Sequence, residues 1–265
     1  MATTIPRTGY APVNGLQMYY EIHGTGDPLI LIHGGFGTVG MFYPLLPALA
    51  AGRQVIGVEL QAHGHTADTD RPFQLEQFGD DIAALIKHLG FEQADVLGYS
   101  LGGGAALQTA IRHPEVVRKL VVVSAPYKRN GWFPEVLAGM GQINADAMTG
   151  TFIHEAYVNV APRPEDFPRL ANKTRQLLYT DYDWTEGVVA IQAPTLIILG
   201  DADSVPPAHA AELFALLGGG LRDAGWDGSA RPPSQLAILP GTTHYNILTR
   251  ADLLLPVLVS FLEAV

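Results

Sequence analysis

Gly98-Tyr99-Ser100-Leu101-Gly102 fits the pattern G-x-S-x-G, which can present a serine hydroxyl as a nucleophile. The pattern follows a predicted strand and begins a predicted helix, so it indicates a tight turn that exposes the Ser100 hydroxyl. Gly98 and Gly102 meet the need for small residues where strand and helix approach closely. The turn would also place the Leu101 backbone N–H at a helix N-terminus, where it can face an oxyanion. The alternative interpretation is a glycine-rich turn with an exposed serine and no chemistry.

A serine nucleophile needs a base to take its proton, and the base needs an acid to orient it. Among the nine histidines, His244 is favoured because it lies in a turn after the last predicted strand. Asp201 and Asp203 both follow the penultimate predicted strand. Either carboxylate could orient the histidine or merely cap the next helix. The turn after the predicted strand at 120–123 has no carboxylate, so the acid must come from this pair.

A second oxyanion donor is expected from the loop after the first buried strand, which has the sequence His33-Gly34-Gly35-Phe36-Gly37. Glycine lets the backbone approach a substrate carbonyl closely. A tight turn without a catalytic role is the alternative. The position of the loop beside the predicted serine turn favours the functional interpretation.

These residues are positioned by apolar strands that alternate with helices. The residues from Tyr10 to His23 predict a hairpin, because Asn14-Gly15 suits a type I′ turn. Buried strands are predicted at 29–32, 54–60, 95–98, 120–123, 195–199 and 235–239, and helices at 42–51, 75–89, 101–112, 208–217 and 251–264. The alternation predicts an α/β fold with a mostly parallel central sheet and helices on both faces.

Residues 127–190, called the insertion below, interrupt this alternation. They have helical patches but no predicted buried strand. We therefore expect a core formed by residues 1–126 and 191–265, with a helical domain inserted at 127–190. The Gly- and Pro-rich segment from Gly218 to Pro233 predicts a surface loop.

Charge and composition exclude several classes of partner. The chain has 16 basic and 26 acidic residues and a formal net charge of −10, without the basic patch of a nucleic-acid-binding protein. An anionic membrane surface would repel it on average. The chain has no cysteine, which suits a reducing cytosol and excludes thiol chemistry. The Met1–Tyr10 segment lacks an apolar core and Leu253–Val265 is too short to span a bilayer, so we expect a cytoplasmic protein without a signal peptide.

Together these motifs resemble the α/β-hydrolase fold family over nearly the whole chain. The matching segments, in the family's order, are the His-Gly loop at 33–35, the serine turn at 98–102, G-x-x-D-x-x-P at 200–206 and P-G-x-x-H at 240–244. In this family the acid is the third residue after the glycine, so the resemblance selects Asp203 over Asp201. It implies a nucleophile at Ser100, a base at His244 and an orienting acid at Asp203.

One segment departs from the family pattern. The family often has D-x-x-G-H-G-x-S after the second parallel strand, where this chain has Glu59, Ala62 and Thr66 in place of three of the pattern's residues. The resemblance implies a structural turn here, so His63 is expected to stabilise the turn and not to act in catalysis.

A serine at position 100 narrows the expected chemistry. Family members that open epoxides or displace halide have an aspartate at the corresponding position. The resemblance therefore leaves acyl transfer as the expected type of reaction. We expect a serine hydrolase of small, largely apolar carboxylic esters or lactones that acts through an acyl-enzyme, without cofactor or metal. The alternatives are a carbon–carbon bond hydrolase or perhydrolase with the same triad, and a non-enzymatic small-molecule receptor.

The insertion is expected to form a cap over the substrate, because it contains nine of the chain's 23 aromatic residues. We expect Trp132, Phe133 and Trp184 of the insertion, with Phe36 and Tyr99 of the core, to contact the substrate. The Gly35 and Leu101 amides are expected to form the oxyanion hole, with Phe36 as the alternative second donor.

Overall fold

The computed structural model describes residues 6–264. Residues 1–5 and Val265 lie outside the described residues. Residues 1–5 belong to the Met1–Tyr10 segment, in which no signal peptide is predicted. The described chain forms one eight-stranded sheet with the strand order β1-β2-β4-β3-β5-β6-β7-β8. The strands are β1 (Arg7–Val13), β2 (Leu16–His23), β3 (Asp27–Ile32), β4 (Arg53–Val58), β5 (Ala94–Tyr99), β6 (Val117–Val123), β7 (Thr195–Ala202) and β8 (Gln235–Thr243).

Parallel pairing dominates this sheet. The β1–β2 and β2–β4 pairs are antiparallel, and every other neighbouring pair is parallel. The predicted hairpin is confirmed: Asn14 and Gly15 have φ angles of 47° and 80°, as a type I′ turn requires. The fully apolar ends of β3 to β6 are buried on both faces, which explains their uninterrupted hydrophobic sequences.

Helices cover both faces of the sheet, as predicted. They are α1 (Leu46–Leu49), α2 (Leu75–His88), α3 (Leu101–Arg112), α4 (Pro134–Gly141), α5 (Ala145–Met148), α6 (Phe152–Val158), α7 (Phe167–Tyr179), α8 (Thr185–Val189), α9 (Pro207–Leu216) and α10 (Ala251–Glu263). One apolar core contains α2, α3 and α9, and a second core on the opposite face contains α1 and α10. In the described residues, no helix combines the length and the apolar character needed to cross a bilayer.

Two predicted elements differ most from the structure. The helix predicted at 42–51 is reduced to the single turn of α1, because Pro44 lacks the N–H that a longer helix needs, whereas Pro47 is tolerated in the first turn. Strand β8 continues beyond 239 to Thr243, although it contains Pro240 and a Gly241 with a φ of 64°. Its pairing with β7 is irregular there, and an edge strand tolerates proline.

Five helices, α4 to α8, lie between β6 and β7. The longest, α7, packs apolar side chains against the core that contains α2 and α3. It is also held by charge, since Lys173 Nζ lies 2.8 Å from both carboxylate oxygens of Asp68, and Arg169 Nε lies 3.0 Å from one of them. The Asp68 carboxylate is buried in the loop after β4. This ion cluster fixes one part of α7 to the loop after β4.

Candidate active site

Polar residues follow five neighbouring strands directly at the carboxyl edge of the sheet. In spatial order along the edge they are His33 after β3, Ser100 after β5, Ser124 after β6, Asp203 after β7 and His244 after β8. Because parallel strands end at the same edge, residues that are far apart in sequence meet there. Their side-chain geometry defines the candidate site.

Ser100 lies in a strained turn between β5 and α3, with φ 54° and ψ −119°. A Cβ built at Gly98 would overlap the Gly102 carbonyl, and one built at Gly102 would overlap the Ile32 carbonyl. Only glycine therefore fits at either position without a backbone shift. The turn holds the half-buried Ser100 side chain at the sheet edge, as the motif predicts.

The structure brings Ser100, His244 and Asp203 into one hydrogen-bonded chain. His244 Nε2 lies 3.0 Å from Ser100 Oγ, and His244 Nδ1 lies 3.0 Å from Asp203 Oδ1. Since a carboxylate only accepts, Nδ1–H donates to Asp203, and Nε2 is left to accept from the Ser100 hydroxyl. The arrangement can therefore remove a proton from Ser100.

Aromatic side chains hold the His244 ring in place. Tyr99 Oη donates a 2.6 Å hydrogen bond to the His244 carbonyl oxygen. The Trp132 ring packs edge-on against the imidazole, with 5.6 Å between centroids. These contacts leave His244 mostly buried, which restricts the imidazole to the orientation needed by Ser100.

Asp203 is buried and fully hydrogen-bonded, whereas Asp201 is exposed. The Gly200 and Val205 amides each donate to the Asp203 carboxylate at 3.2 Å. Burial alone would raise the pKa of Asp203, but the hydrogen bond and charge interaction with His244, with further hydrogen bonds, hold that pKa below its usual range. Asp201 instead accepts a hydrogen bond from the Thr242 amide at 3.2 Å, away from the imidazole.

Ser124 is a site residue that the sequence pattern did not single out. Its hydroxyl donates a 2.5 Å hydrogen bond to Asp203 Oδ2, and the residue is buried with a φ of 53°. Its amide donates to the Ile198 carbonyl on β7, which fixes the turn. The available signal was its position directly after β6, where a hydroxyl can reach the acid of the neighbouring strand.

We expect removal of the Ser124 hydroxyl to lower kcat at least about tenfold, since a hydrogen bond to a charged group contributes about 1.5–3 kcal/mol. The hydroxyl stabilises the Asp203 carboxylate, so its loss raises the pKa of Asp203. The acid limb of the kcat–pH profile should then move to higher pH. Ser124→Ala and Ser124→Gly test this together, because glycine also accepts the positive φ. Wild-type kcat and pH profile in Ser124→Gly would show that only the backbone shape of this turn matters.

The loop after β3 has donors suitable for an oxyanion. Gly37 N–H donates to the Gly34 carbonyl at 3.0 Å, closing a tight turn in which Phe36 has a φ of 60°. Among residues 6–264, the amides of Gly35, Phe36 and Leu101 donate to no protein acceptor within hydrogen-bond distance. These amides remain the candidates for oxyanion donors.

Two buried histidines lie beside the loop after β3 and form hydrogen bonds to its neighbouring backbone. His33 Nε2 accepts from the Leu60 amide at 3.1 Å, and its Nδ1 donates to the Gly34 carbonyl at 2.7 Å. Burial lowers the pKa of His33 to about 3, so the ring is neutral. His63 lies 4.9 Å from it between centroids and bonds the Gln61 carbonyl within its own turn. His63 does not reach the Ser100 hydroxyl, which His244 contacts.

A small cavity, called the inner cavity below, adjoins Ser100. Its volume is about 20 Å³, close to the space that one water molecule needs. Its lining has no charged side chain and includes Leu75, Leu101, Pro126, Trp132, Leu177, Leu178 and Tyr182. The side chains from the insertion therefore cover Ser100 closely.

Of the five predicted substrate contacts, only Trp132 lines the inner cavity. The Tyr99 ring belongs to the apolar core with α1 and α10, and its hydroxyl bonds the His244 backbone. Phe36 packs toward Phe167, with 6.4 Å between centroids. Phe133 immediately precedes α4. The Trp184 ring stacks on Tyr182 at 4.3 Å and lines a neighbouring cavity instead. Leu177, Leu178 and Tyr182 are the insertion residues of this lining that were not among the predicted substrate contacts.

Comparison with known proteins supports the fold. The model of the family described as the alpha/beta hydrolase fold matches residues 27–148. The predicted carbamate hydrolase RutD of Azorhizobium caulinodans is 27% identical over 238 residues, covering 81% of this chain and 87% of that protein.

Solved structures share the fold over nearly the whole chain. The enol-lactonase from Burkholderia xenovorans LB400 superposes with a TM-score of 0.73 at 22% identity, covering 96% of this chain and 100% of that chain. The carboxylesterase CesB (YbfK) from Bacillus subtilis has a TM-score of 0.74 at 19% identity, covering 98% and 92%. At these identities, the structural likeness concerns the fold alone.

Proposed function

Because this chain belongs to the α/β-hydrolase fold family, we propose that it is a serine hydrolase of small, largely apolar carboxylic esters or lactones. The observation that carries the proposal is the pair of 3.0 Å contacts that link Ser100 to His244 and His244 to Asp203. The names of the similar proteins refer to carbamates, an enol-lactone and carboxylic esters. Each of these compounds has an acyl carbon that a serine can attack.

In the first half of the proposed reaction, His244 Nε2 takes the Ser100 proton as Oγ attacks the carbonyl carbon. The negative charge that develops on the carbonyl oxygen is stabilised by the Leu101 amide and by the amide of Gly35 or Phe36. The imidazolium then gives its proton to the leaving alcohol oxygen, and the C–O bond breaks. The acyl group remains bonded to Ser100 Oγ.

In the second half, a water molecule attacks the acyl carbon while His244 takes its proton. The second tetrahedral intermediate collapses as His244 returns the proton to Ser100 Oγ. Asp203 remains ionised throughout and stabilises the imidazolium, in keeping with the lowered pKa of its carboxyl group. The products are a carboxylic acid and an alcohol, or a hydroxy acid from a lactone.

The insertion at 127–190 is proposed as the cap that selects the acyl group. The apolar lining of the inner cavity supports this role, because Trp132, Leu177, Leu178 and Tyr182 all come from the insertion. The uncharged lining also favours an apolar acyl group near Ser100. On this basis, residues 1–126 and 191–265 would provide the catalytic core.

A panel of neutral aryl esters and lactones, combined with organophosphonate labelling, tests the proposed function. We expect turnover of short-chain aryl esters, and a phosphonate adduct located by peptide mass spectrometry on Ser100. The backbone amides should lie within about 3 Å of the phosphonate oxygen in a structure of the adduct. Ligand binding without turnover across the panel, and no adduct on Ser100, would instead support the receptor alternative.

A further inference from the structure

A second cavity lies directly outside the inner cavity. It occupies the space between Phe73–Glu76 at the start of α2 and Gln176–Tyr182 at the end of α7, and we call it the outer groove. Its volume is about 310 Å³, within the size range of small-molecule sites. The outer groove and the inner cavity share three lining residues, Leu75, Leu177 and Tyr182. These three side chains, called the gate below, therefore separate the groove from Ser100.

The inner cavity is too small for an acyl chain. At about 20 Å³ it has room for about one water molecule, whereas the groove beyond the gate is many times larger. Leu75 and Leu177 are buried, and Tyr182 is half-buried and stacked on Trp184. Displacement of the gate side chains would join the two spaces into one pocket that reaches Ser100.

The position of His244 decides which part of an ester this pocket would receive. His244 must reach the leaving alcohol oxygen to protonate it. His244 lines neither the inner cavity nor the outer groove. The leaving alcohol therefore belongs on the His244 side of Ser100, and the acyl chain belongs on the side of the gate.

Charge at the groove restricts the acyl chain further. Glu76 and Asp181 line the outer groove, and its lining contains no lysine, arginine or histidine. Among residues 6–264, neither acid forms an ion pair within 4.0 Å. The N-terminus of α2 would favour an anion, but Glu76 in its first turn already supplies that negative charge. The net charge of −10 adds a repulsion for anions at longer range.

We propose that the outer groove is the acyl-chain subsite, entered through the gate, and that it takes neutral or cationic chains and rejects chains that end in a carboxylate. This inference rests on the proposed function and specifies its substrate class. Glu76 and Asp181 would act as specificity-determining residues. The gate residue Leu177 would set the dependence of the rate on acyl length.

Three 4-nitrophenyl esters of matched length test the charge preference: the hexanoate, the adipate monoester and the 4-trimethylammoniobutanoate. We expect kcat/KM for the adipate monoester to be at least about tenfold below that for the hexanoate, and the cationic ester to equal or exceed the hexanoate. Each acid should contribute about fivefold, the effect of one unit charge at close range in water. About 0.5 M salt should reduce the difference by screening.

Variants that each remove one negative charge test whether the charge preference arises at the outer groove. Glu76→Gln and Asp181→Asn should each raise the adipate-to-hexanoate ratio of kcat/KM about fivefold. Glu92→Gln, an exposed acid just before β5 at the opposite edge of the sheet, makes the same charge change and should leave the ratio unchanged. Equal kcat/KM for the adipate monoester and the hexanoate, or equal effects of all three variants, would overturn the charge preference.

The gate is tested by acyl length in Leu177 variants. Leu177→Trp should lower the hexanoate-to-acetate ratio of kcat/KM at least about tenfold, and Leu177→Ala should raise it. Unchanged ratios in both variants would refute the gate and the subsite, while Ser100-dependent acetate hydrolysis would still support the proposed function. If acetate hydrolysis does not depend on Ser100, the proposed function itself fails.

Discussion

Ser100→Ala should lower kcat by about 10⁶ for any ester that the protein hydrolyses, which is the largest effect expected of a single substitution in this chain. The variant lacks the oxygen that is proposed to attack the acyl carbon, and among residues 6–264 no other hydroxyl lies within hydrogen-bond distance of His244 Nε2. The backbone donors of the oxyanion hole remain, so a residual rate above that of the uncatalysed reaction is expected. Stopped-flow assays of the parent protein and long-time assays of the variant, both with one aryl ester, would measure the two rates.

A double variant tests whether Ser100 and His244 act as one catalytic unit or contribute to the rate separately. Ser100→Ala combined with His244→Ala should be no slower than Ser100→Ala alone, because the base has no role without its nucleophile. Far-ultraviolet circular dichroism and the thermal midpoint serve as folding controls. Near-normal turnover by correctly folded Ser100→Ala would remove Ser100 from the mechanism.

Asp203→Asn should lower kcat by about 10⁴, an effect smaller than that of losing the nucleophile or the base. An asparagine at this position can donate to the imidazole, which would favour the tautomer that cannot accept the Ser100 proton. It would also leave the imidazolium without its negative partner in a buried site, where the Asp203 carboxylate is now ionised. Because the proposed role of Asp203 is to orient the base and not to bind substrate, kcat should fall far more than KM rises.

Asp201→Asn is the matched control, since it makes the same chemical change two residues away. Asp201 is exposed and bonds the Thr242 amide, so we expect a change in kcat of less than about tenfold. Steady-state kinetics of the two variants on the same ester provide the comparison. A larger loss in Asp201→Asn than in Asp203→Asn would mean that the acid has been assigned to the wrong carboxylate.

The sequence alone was sufficient for the α/β architecture and for two of the three central residues of the site. Apolar strands alternating with amphipathic helices determine the fold class because the period of the hydrophobic pattern is a local property. Gly98 and Gly102 identify the turn that carries Ser100, since the neighbouring backbone leaves no room for a Cβ. His244 was identified from its position after the last strand, because the ends of parallel strands meet at one edge.

The choice of acid needed more than the residues' positions along the chain. Asp201 and Asp203 both come at the end of β7, and strand order alone does not separate them; the family resemblance did. The physical reason lies in the folded turn. The Gly200 and Val205 amides and the Ser124 hydroxyl, 79 positions away, converge on the Asp203 carboxylate and turn it toward His244.

Only the tertiary structure decided which side chains surround Ser100. Aromatic enrichment pointed to the insertion as a whole, but Leu177 and Leu178 cover the serine, while Tyr99 lies in the core on the other face of the sheet. Alternation along β5 places Tyr99 on the same face as Leu97, yet the sequence does not say which face the substrate approaches. The side chains next to Ser100 depend on how α7 packs over the sheet edge. That packing is fixed by contacts between residues far apart in sequence, such as Lys173 with Asp68. The local pattern of the sequence does not predict such contacts.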